Sequence, residues 1–303
     1  VSKPDTISLM RKEPAIDKSL PLLKNGKPHV SYSEVSTWAS CPWRHKLLYI
    51  EKKKENDISP YLDYGTIVHE AAEGFLKTRT IDLEVVYKKI RAAWKKNGFD
   101  TPEFIKAQTA RALSQDWKYK HVHLQGWLDS AKNALTGLPE FLDETWPGWK
   151  PLSAEYRIYS PIEGEVGHFK GFIDCVLELP SGKNVVIDWK TSGPAGWRSD
   201  KKKDELTQFQ IILYKIYWMK KTGLPSSKVQ AAFVLLKRDV QPMKSGKPRK
   251  SVDIVEVSSG PKMMERAKKK VSSMIRLMDR GMALKNRYSC RFCEFAGTDN
   301  CKI

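Results

Sequence analysis

GFIDCVLELPSGKNVVIDWKT, residues 171–191, reads as two strands joined by a tight turn. PSGKN at 180–184 carries the residue types that a hairpin turn needs. NVVIDWKT at 184–191 is apolar enough for a central strand. Side chains two apart on a strand share a face. Asp188 and Lys190 therefore project together, with Trp189 on the other side. A hairpin can lay Asp174 beside Asp188, although the sequence does not fix the register. Val185, Val186 and Ile187 are apolar, so two charges that follow them in the same strand need a reason.

That reason is chemical. Two carboxylates offer oxygen ligands of the kind Mg2+ or Mn2+ prefer. An ammonium two residues beyond the second can orient a water or offset charge on a phosphoryl group. The set is the minimum equipment for cutting a phosphodiester. Bulk charge points the same way: 53 Lys and Arg against 35 Asp and Glu leave a net charge of +18. A field of that sign favours a polyanion such as nucleic acid. No apolar run is long enough to span a bilayer, so no membrane partner is expected. The opening VSKPDTISLMRKEP has no apolar core, so no secretory signal is expected and a cytoplasmic location follows.

Working outward, SAEYRIYSPI (153–162) alternates like a strand, and HFKGFIDCVLEL (168–179) is a second. ELTQFQIILYKIYWMKKTG (205–223) is a helix closed by Gly223. VQAAFVLLKR (229–238) and SVDIVEV (251–257) are two more strands, and KMMERAKKKVSSMIRLMDRG (262–281) is an amphipathic helix. Before them, residues 1–30 read as an extended arm. SYSEVSTWASCPWRHKLLYI (31–50) opens a helix on Ser31 or Ser33, with Glu34 three residues after Ser31. Residues 52–63 read as a charged loop, 64–79 as a helix that carries His69, and 82–146 as three or so helices. The expected organisation is an arm at 1–30, N-terminal helices at 31–81, a helical lobe at 82–150, an α/β core at 151–285 and a cysteine-rich tail at 286–303. Strands and helices in this order predict a mixed α/β sheet flanked by helices.

Gln210 and Tyr214 are four apart and share a helical face. His69, Asp174, Asp188-X-Lys190 and Gln210-X3-Tyr214, in this order, resemble the RecB-type branch of the PD-(D/E)XK nuclease superfamily, and 31–50 looks like its N-terminal signature. The resemblance runs from about residue 31 to 303. It implies a restriction-endonuclease-like sheet with a helical insert, and a DNA exonuclease acting on single strands or duplex ends. His69, Asp174, Asp188 and the backbone carbonyl of Trp189 would bind Mg2+ or Mn2+, with Lys190 as catalytic lysine. Gln210 and Tyr214 would contact DNA or brace the lysine, and Glu155 would be a supporting carboxylate. Recombination, replication or CRISPR-adaptation proteins would be partners.

Five cysteines without a signal peptide do not suggest a disulfide framework. Cys175 alternates with Ile173 and Leu177 and reads as core. Cys290-X2-Cys293 with Cys301, together with Cys41, offers four soft ligands, which by spacing suit zinc or iron–sulfur. The long separation of Cys41 from the rest is unlike paired zinc knuckles. The pattern is similar to RecB-type nucleases with one cysteine before and three after the nuclease motifs, as in AddB-like and CRISPR-associated adaptation nucleases. That resemblance implies a 4Fe–4S cluster stapling the chain ends, although the seven residues between Cys293 and Cys301 exceed the usual gap. Two other readings remain: a non-catalytic iron–sulfur DNA-binding module of a helicase–nuclease complex, and a zinc-stapled structure-specific endonuclease. For DNA contact, loop 193–204 offers Trp197, Arg198, Lys201, Lys202 and Lys203. Trp38, Trp43 and Trp189 are further stacking candidates, and Lys244, Lys247, Arg249 and Lys250 form a basic loop.

Overall fold

The computed structural model describes residues 22–53, 59–114, 123–238, 246 and 249–302. Most of the expected arm, and Lys244 and Lys247 of the basic loop, lie outside the described residues.

A mixed six-stranded sheet forms the centre. Its hairpin is β3 (His168–Glu178) and β4 (Asn184–Ser192), paired antiparallel. The turn closes where Leu179 N–H donates to the Lys183 carbonyl at 2.8 Å, with Gly182 at φ 72°. Only glycine takes that conformation at no steric cost. β5 (Val229–Lys237) lies parallel to β4, and β6 (Val252–Glu256) runs antiparallel to β5. A parallel pair needs a crossover, which here contains helix α9 (Glu205–Thr222). Asp204 caps it by accepting Thr207 N–H, and Gly223 ends it at φ 72°. The outer hairpin strand is β2 (Lys150–Pro161), antiparallel to β3.

Some elements depart from the sequence reading. Residues expected in the arm form a short strand, β1 (His29–Ser31), parallel to β3. Backbone hydrogen bonding to a sheet edge needs no sequence pattern, which is why three residues escaped notice. Ser31 then caps α1 (Tyr32–Ser40), accepting Glu34 N–H at 3.3 Å. The Glu34 carboxylate does not close a capping box. It is buried and meets His45 Nε2 at 3.0 Å and Lys27 Nζ at 2.5 Å. The helix bearing His69, α3 (Pro60–Thr78), starts inside the predicted charged loop because Pro60 occupies its first turn. Among the described residues, α4 (Leu83–Asn97), α5 (Pro102–Ser114), α6 (Leu124–Thr136) and α7 (Leu138–Thr145) come between α3 and β2, where about three helices were expected, and α2 (Pro42–His45) precedes α3. A five-residue helix, α8 (Ser199–Lys203), interrupts the predicted loop 193–204. The last long helix is α10 (Pro261–Asp279).

Two apolar layers sandwich the sheet. One joins α3, α4, α6 and α7 to Cys175, Leu177, Val185, Ile187 and Trp189. The other joins α1, α9 and α10 to Ile173, Val176, Val186, Phe233 and Leu235. Cys175 is fully buried core, as its alternation predicted. No described helix is long and apolar enough to cross a membrane.

Candidate active site

The site follows from how the edges of β3 are used. β2 pairs with one edge along most of its length. On the other edge, β4 pairs with Cys175–Glu178 and β1 pairs with His168–Lys170. Residues 171–174 fall between these two ladders, so β1 and β4 splay apart there and a cleft of about 350 Å3 opens. Asp174, Asp188, Lys190, His69, Gln210 and Tyr214 all line it.

The layer assignment changes at this point. Ile173 packs in one apolar layer and Cys175 in the other, and on β2 Ala154 and Tyr156 divide in the same way. Successive odd positions of a regular strand would share a face. The ribbon therefore twists locally at Asp174 and at Glu155, which sits opposite it in register. Glu155 takes φ 53°, a conformation that costs a non-glycine residue about 1–3 kcal/mol. Strain of this kind, beside two carboxylates, marks the place where the sheet is bent to present side chains.

The last β3–β4 pair is Cys175 with Ile187. One step further, Asp174 and Asp188 face each other and a side chain takes over from the ladder. Asp174 Oδ2 accepts the Trp189 N–H at 2.8 Å. In a strand the N–H and C=O of one residue point to the same edge, so the Trp189 carbonyl also faces the cleft side of β4. His69 Nδ1 reaches Asp174 Oδ2 at 3.5 Å from α3. Lys190 Nζ stands 2.7 Å from Asp188 Oδ2, and Gln210 Nε2 donates to Asp188 Oδ1 at 2.8 Å. Gln210 also meets Tyr214 Oη at 3.2 Å. The sequence reading had this helical pair bracing the lysine or touching DNA. Gln210 itself holds Asp188, and Tyr214 meets Gln210.

Burial sets the electrostatics. It pushes the Asp174 carboxyl well above the usual carboxylate range; Asp188 and Glu155 add to the rise, and Lys190 and the Trp189 N–H oppose it. Burial also pulls the His69 imidazole down to about 4, so the ring is neutral at pH 7. It pushes the Tyr214 phenol up, and the Asp188 charge adds to that. Asp188 Oδ2 is buried without a hydrogen bond of ordinary geometry. Among the described residues, no group of three or more His, Cys, Asp or Glu side chains is arranged around a metal-ion position.

A splayed hairpin that carries paired carboxylates and a lysine at this position has a match among known families. Residues 29–298 match the PD-(D/E)XK nuclease superfamily. The chain belongs to that superfamily. Solved structures similar to the chain include one titled "Crystal structure of SSO0001", at 15% identity over 88% of this chain and 84% of that one, with a TM-score of 0.37. No curated protein matches. The restriction-endonuclease-like α/β class expected from the sequence is the one observed.

Several expected contacts of this PD-(D/E)XK chain need correction. Trp189 is fully buried, and Trp38 and Trp197 are nearly so. None presents a face for a base. Trp197 instead packs on Phe233, ring centroids 5.0 Å apart. Tryptophan is common in loops and cores alike, so sequence alone could not separate these roles. Arg198 is exposed but neutralised by Asp200, with Nε donating to Oδ1 at 3.1 Å. Lys201 and Lys203 are exposed and Lys202 half-buried. Two residues of interest were missed. Phe172, 41% exposed, stands at the cleft with Lys170 Nζ 5.9 Å from its ring. Arg238 lies just past β5. Gly171-X2-Asp174 carried a signal for the first, since glycine beside an aromatic in a strand marks a close approach.

The four cysteines set apart by the sequence meet. Cys41, Cys290, Cys293 and Cys301 line one apolar pocket walled by Trp43, Leu47 and Phe295. Asn286 N–H donates to Cys41 Sγ at 3.4 Å, and Asn286 Nδ2 donates to the Ser40 carbonyl at 2.8 Å. The Trp43 indole N–H donates to the Asn300 carbonyl at 3.1 Å. These bonds fasten the tail to the start of α2.

Proposed function

We propose that this PD-(D/E)XK chain is a metal-dependent deoxyribonuclease that hydrolyses phosphodiester bonds in single-stranded DNA or at duplex ends. The observation that carries the reading is the convergence of His69, Asp174, Asp188 and Lys190 in the gap between β1 and β4. The donor set fits Mg2+ or Mn2+. Asp188 Oδ2 faces the Lys190 ammonium at 2.7 Å, Asp174 is disfavoured as an anion by burial and then by Asp188, and His69 is a neutral imidazole. A divalent cation would favour both carboxylates in their ionised form and bind the neutral imidazole.

His69, Asp174, Asp188 and the Trp189 carbonyl would hold the ion, which when bound supplies positive charge against the phosphoryl oxygens. The residues of the chain do the rest. Gln210 fixes the Asp188 carboxylate by its 2.8 Å bond, so one oxygen keeps a set direction. Lys190 is free to turn its ammonium from Asp188 toward the attacking water or the charge that develops on phosphorus. Glu155 would tune Asp174 or accept a proton. Phe172 beside Lys170 gives a stacking face and a cation at the mouth, which suits an unpaired strand.

Under this reading Cys41, Cys290, Cys293 and Cys301, which line one pocket, would hold a 4Fe–4S cluster. The Asn286 N–H donates to Cys41 Sγ, a contact of the kind that supports a sulfur ligand. The group would hold the two chain ends together. Recombination, replication or CRISPR-adaptation proteins are the partners that suit such an enzyme, in the cytoplasm.

The test is digestion of 5′- and 3′-labelled single strands with Mn2+ by wild type and Lys190→Ala. Cleavage by wild type only is expected. Binding without cleavage by either protein would mean a non-catalytic module. Cutting of circular single strands would mean an endonuclease.

A further inference from the structure

A second pocket, of about 410 Å3, opens at the carboxyl ends of β4 and β5, immediately beyond Lys190. The crevice at the carboxyl ends of parallel strands is the usual ligand position in open sheets. Among the described residues it is lined by Thr191, Ser192, Gly196, Lys201 and Arg238, and by the Arg198–Asp200 pair. Arg238 is fixed there by its own N–H, which donates to the Ser192 carbonyl at 2.9 Å. Its guanidinium rests over the Tyr61 ring at 4.5 Å. Lys201 lies over Trp197 at 4.5 Å. It is near enough to Lys190 that this charge, after burial, holds its ammonium below the usual range.

Charge accounting decides what the pocket takes. It has three cations and one carboxylate. Asp200 is taken up by Arg198, which leaves Lys201 and Arg238 as two cations lining one pocket together with Thr191 and Ser192. Two such cations side by side repel unless an anion lies between them. We infer that this pocket is a phosphate subsite, which holds the backbone phosphate next to the scissile one through Lys201 and Arg238. The inference rests on the nuclease reading, and assigns that reading a strand path: past Phe172, across Asp188 and Lys190, and into the second pocket.

The test reads binding, not cleavage. Fluorescence anisotropy with a labelled single-stranded oligonucleotide, in EDTA, is measured across a salt series for wild type, Lys201→Gln, Arg238→Gln, Arg238→Lys and Lys95→Gln, with circular dichroism to confirm folding. Each lost phosphate contact lowers the slope of log K against log salt by about 0.7, and affinity at 0.1 M salt by about fivefold. Lys201→Gln and Arg238→Gln should show that loss. Arg238→Lys should keep the wild-type slope, and Lys95→Gln, which removes one charge from α4, should leave it unchanged. Wild-type slopes in both Gln variants overturn the subsite while leaving the nuclease reading intact. Absence of oligonucleotide binding by wild type overturns both.

Discussion

A methyl group on Gly171 would lie 2.8 Å from Cε1 of Tyr214. The backbone of β3 therefore touches the ring whose hydroxyl meets Gln210, and Gln210 in turn holds Asp188. The glycine of the Gly171-X2-Asp174 motif is a packing requirement three residues away from the carboxylate it accompanies.

Gly171→Ala should accordingly displace Tyr214 and loosen Asp188. Overpacking of this kind costs about 1–3 kcal/mol, so the protein should fold with a lowered melting temperature and lose most of its cleavage rate. Tyr214→Phe, which keeps the ring and removes the hydroxyl, should cost less stability and a smaller share of the rate. Paired melting curves and rates check this. Equal activity for Gly171→Ala and wild type would refute the contact's importance.

Metal-free stability should depend on pH through two groups with opposite signs. His69 is depressed from 6.5 to about 4, so its contribution is full above pH 6.5 and is lost as pH falls from there toward 4. Asp174 is raised, so its contribution is full at acid pH and is lost as pH rises through its folded value. His69→Asn should flatten the acid loss. Asp174→Asn should stabilise the EDTA-treated protein at pH 7, where burial disfavours the anion, while abolishing cleavage. Urea melts at several pH values measure both.

Phe172 is the exposed aromatic at the cleft. Phe172→Ala should raise KM for single strands with a smaller change in kcat, since base stacking contributes about 1–3 kcal/mol. Phe172→Tyr should restore it. A loss confined to kcat would place Phe172 in the chemistry and not in binding.

The cysteine pocket predicts a brown protein on anaerobic purification, with iron and sulfide in equal amounts. Cys41→Ala should bleach it and lower its melting temperature, because the tail from Asn286 onward is fastened to α2 around that pocket. A colourless protein containing zinc would replace the cluster with a zinc staple.

Much of the site was legible in the sequence. Strand periodicity alone put Asp188 and Lys190 on one face, and helical spacing put Gln210 beside Tyr214. Those are local rules, set by covalent geometry. The grouping of the tail cysteines with Cys41 was legible from their spacing, and the four line one pocket. The roles of the aromatics were not. Trp189 and Trp197 sit in segments that could face either way, and only packing against the two helical layers buries them.

The sequence by itself determined the order of the long strands, the mixed α/β class, the identity of the acidic and basic groups and the basic character of the whole chain, because these follow from residue type and period. Only the tertiary structure decided that β1 and β4 share one edge of β3 and leave a gap at 171–174. The β1–β3 pairing joins segments well over a hundred residues apart, so no local pattern encodes it. It depends on which backbone edges find partners once both faces of the sheet are covered.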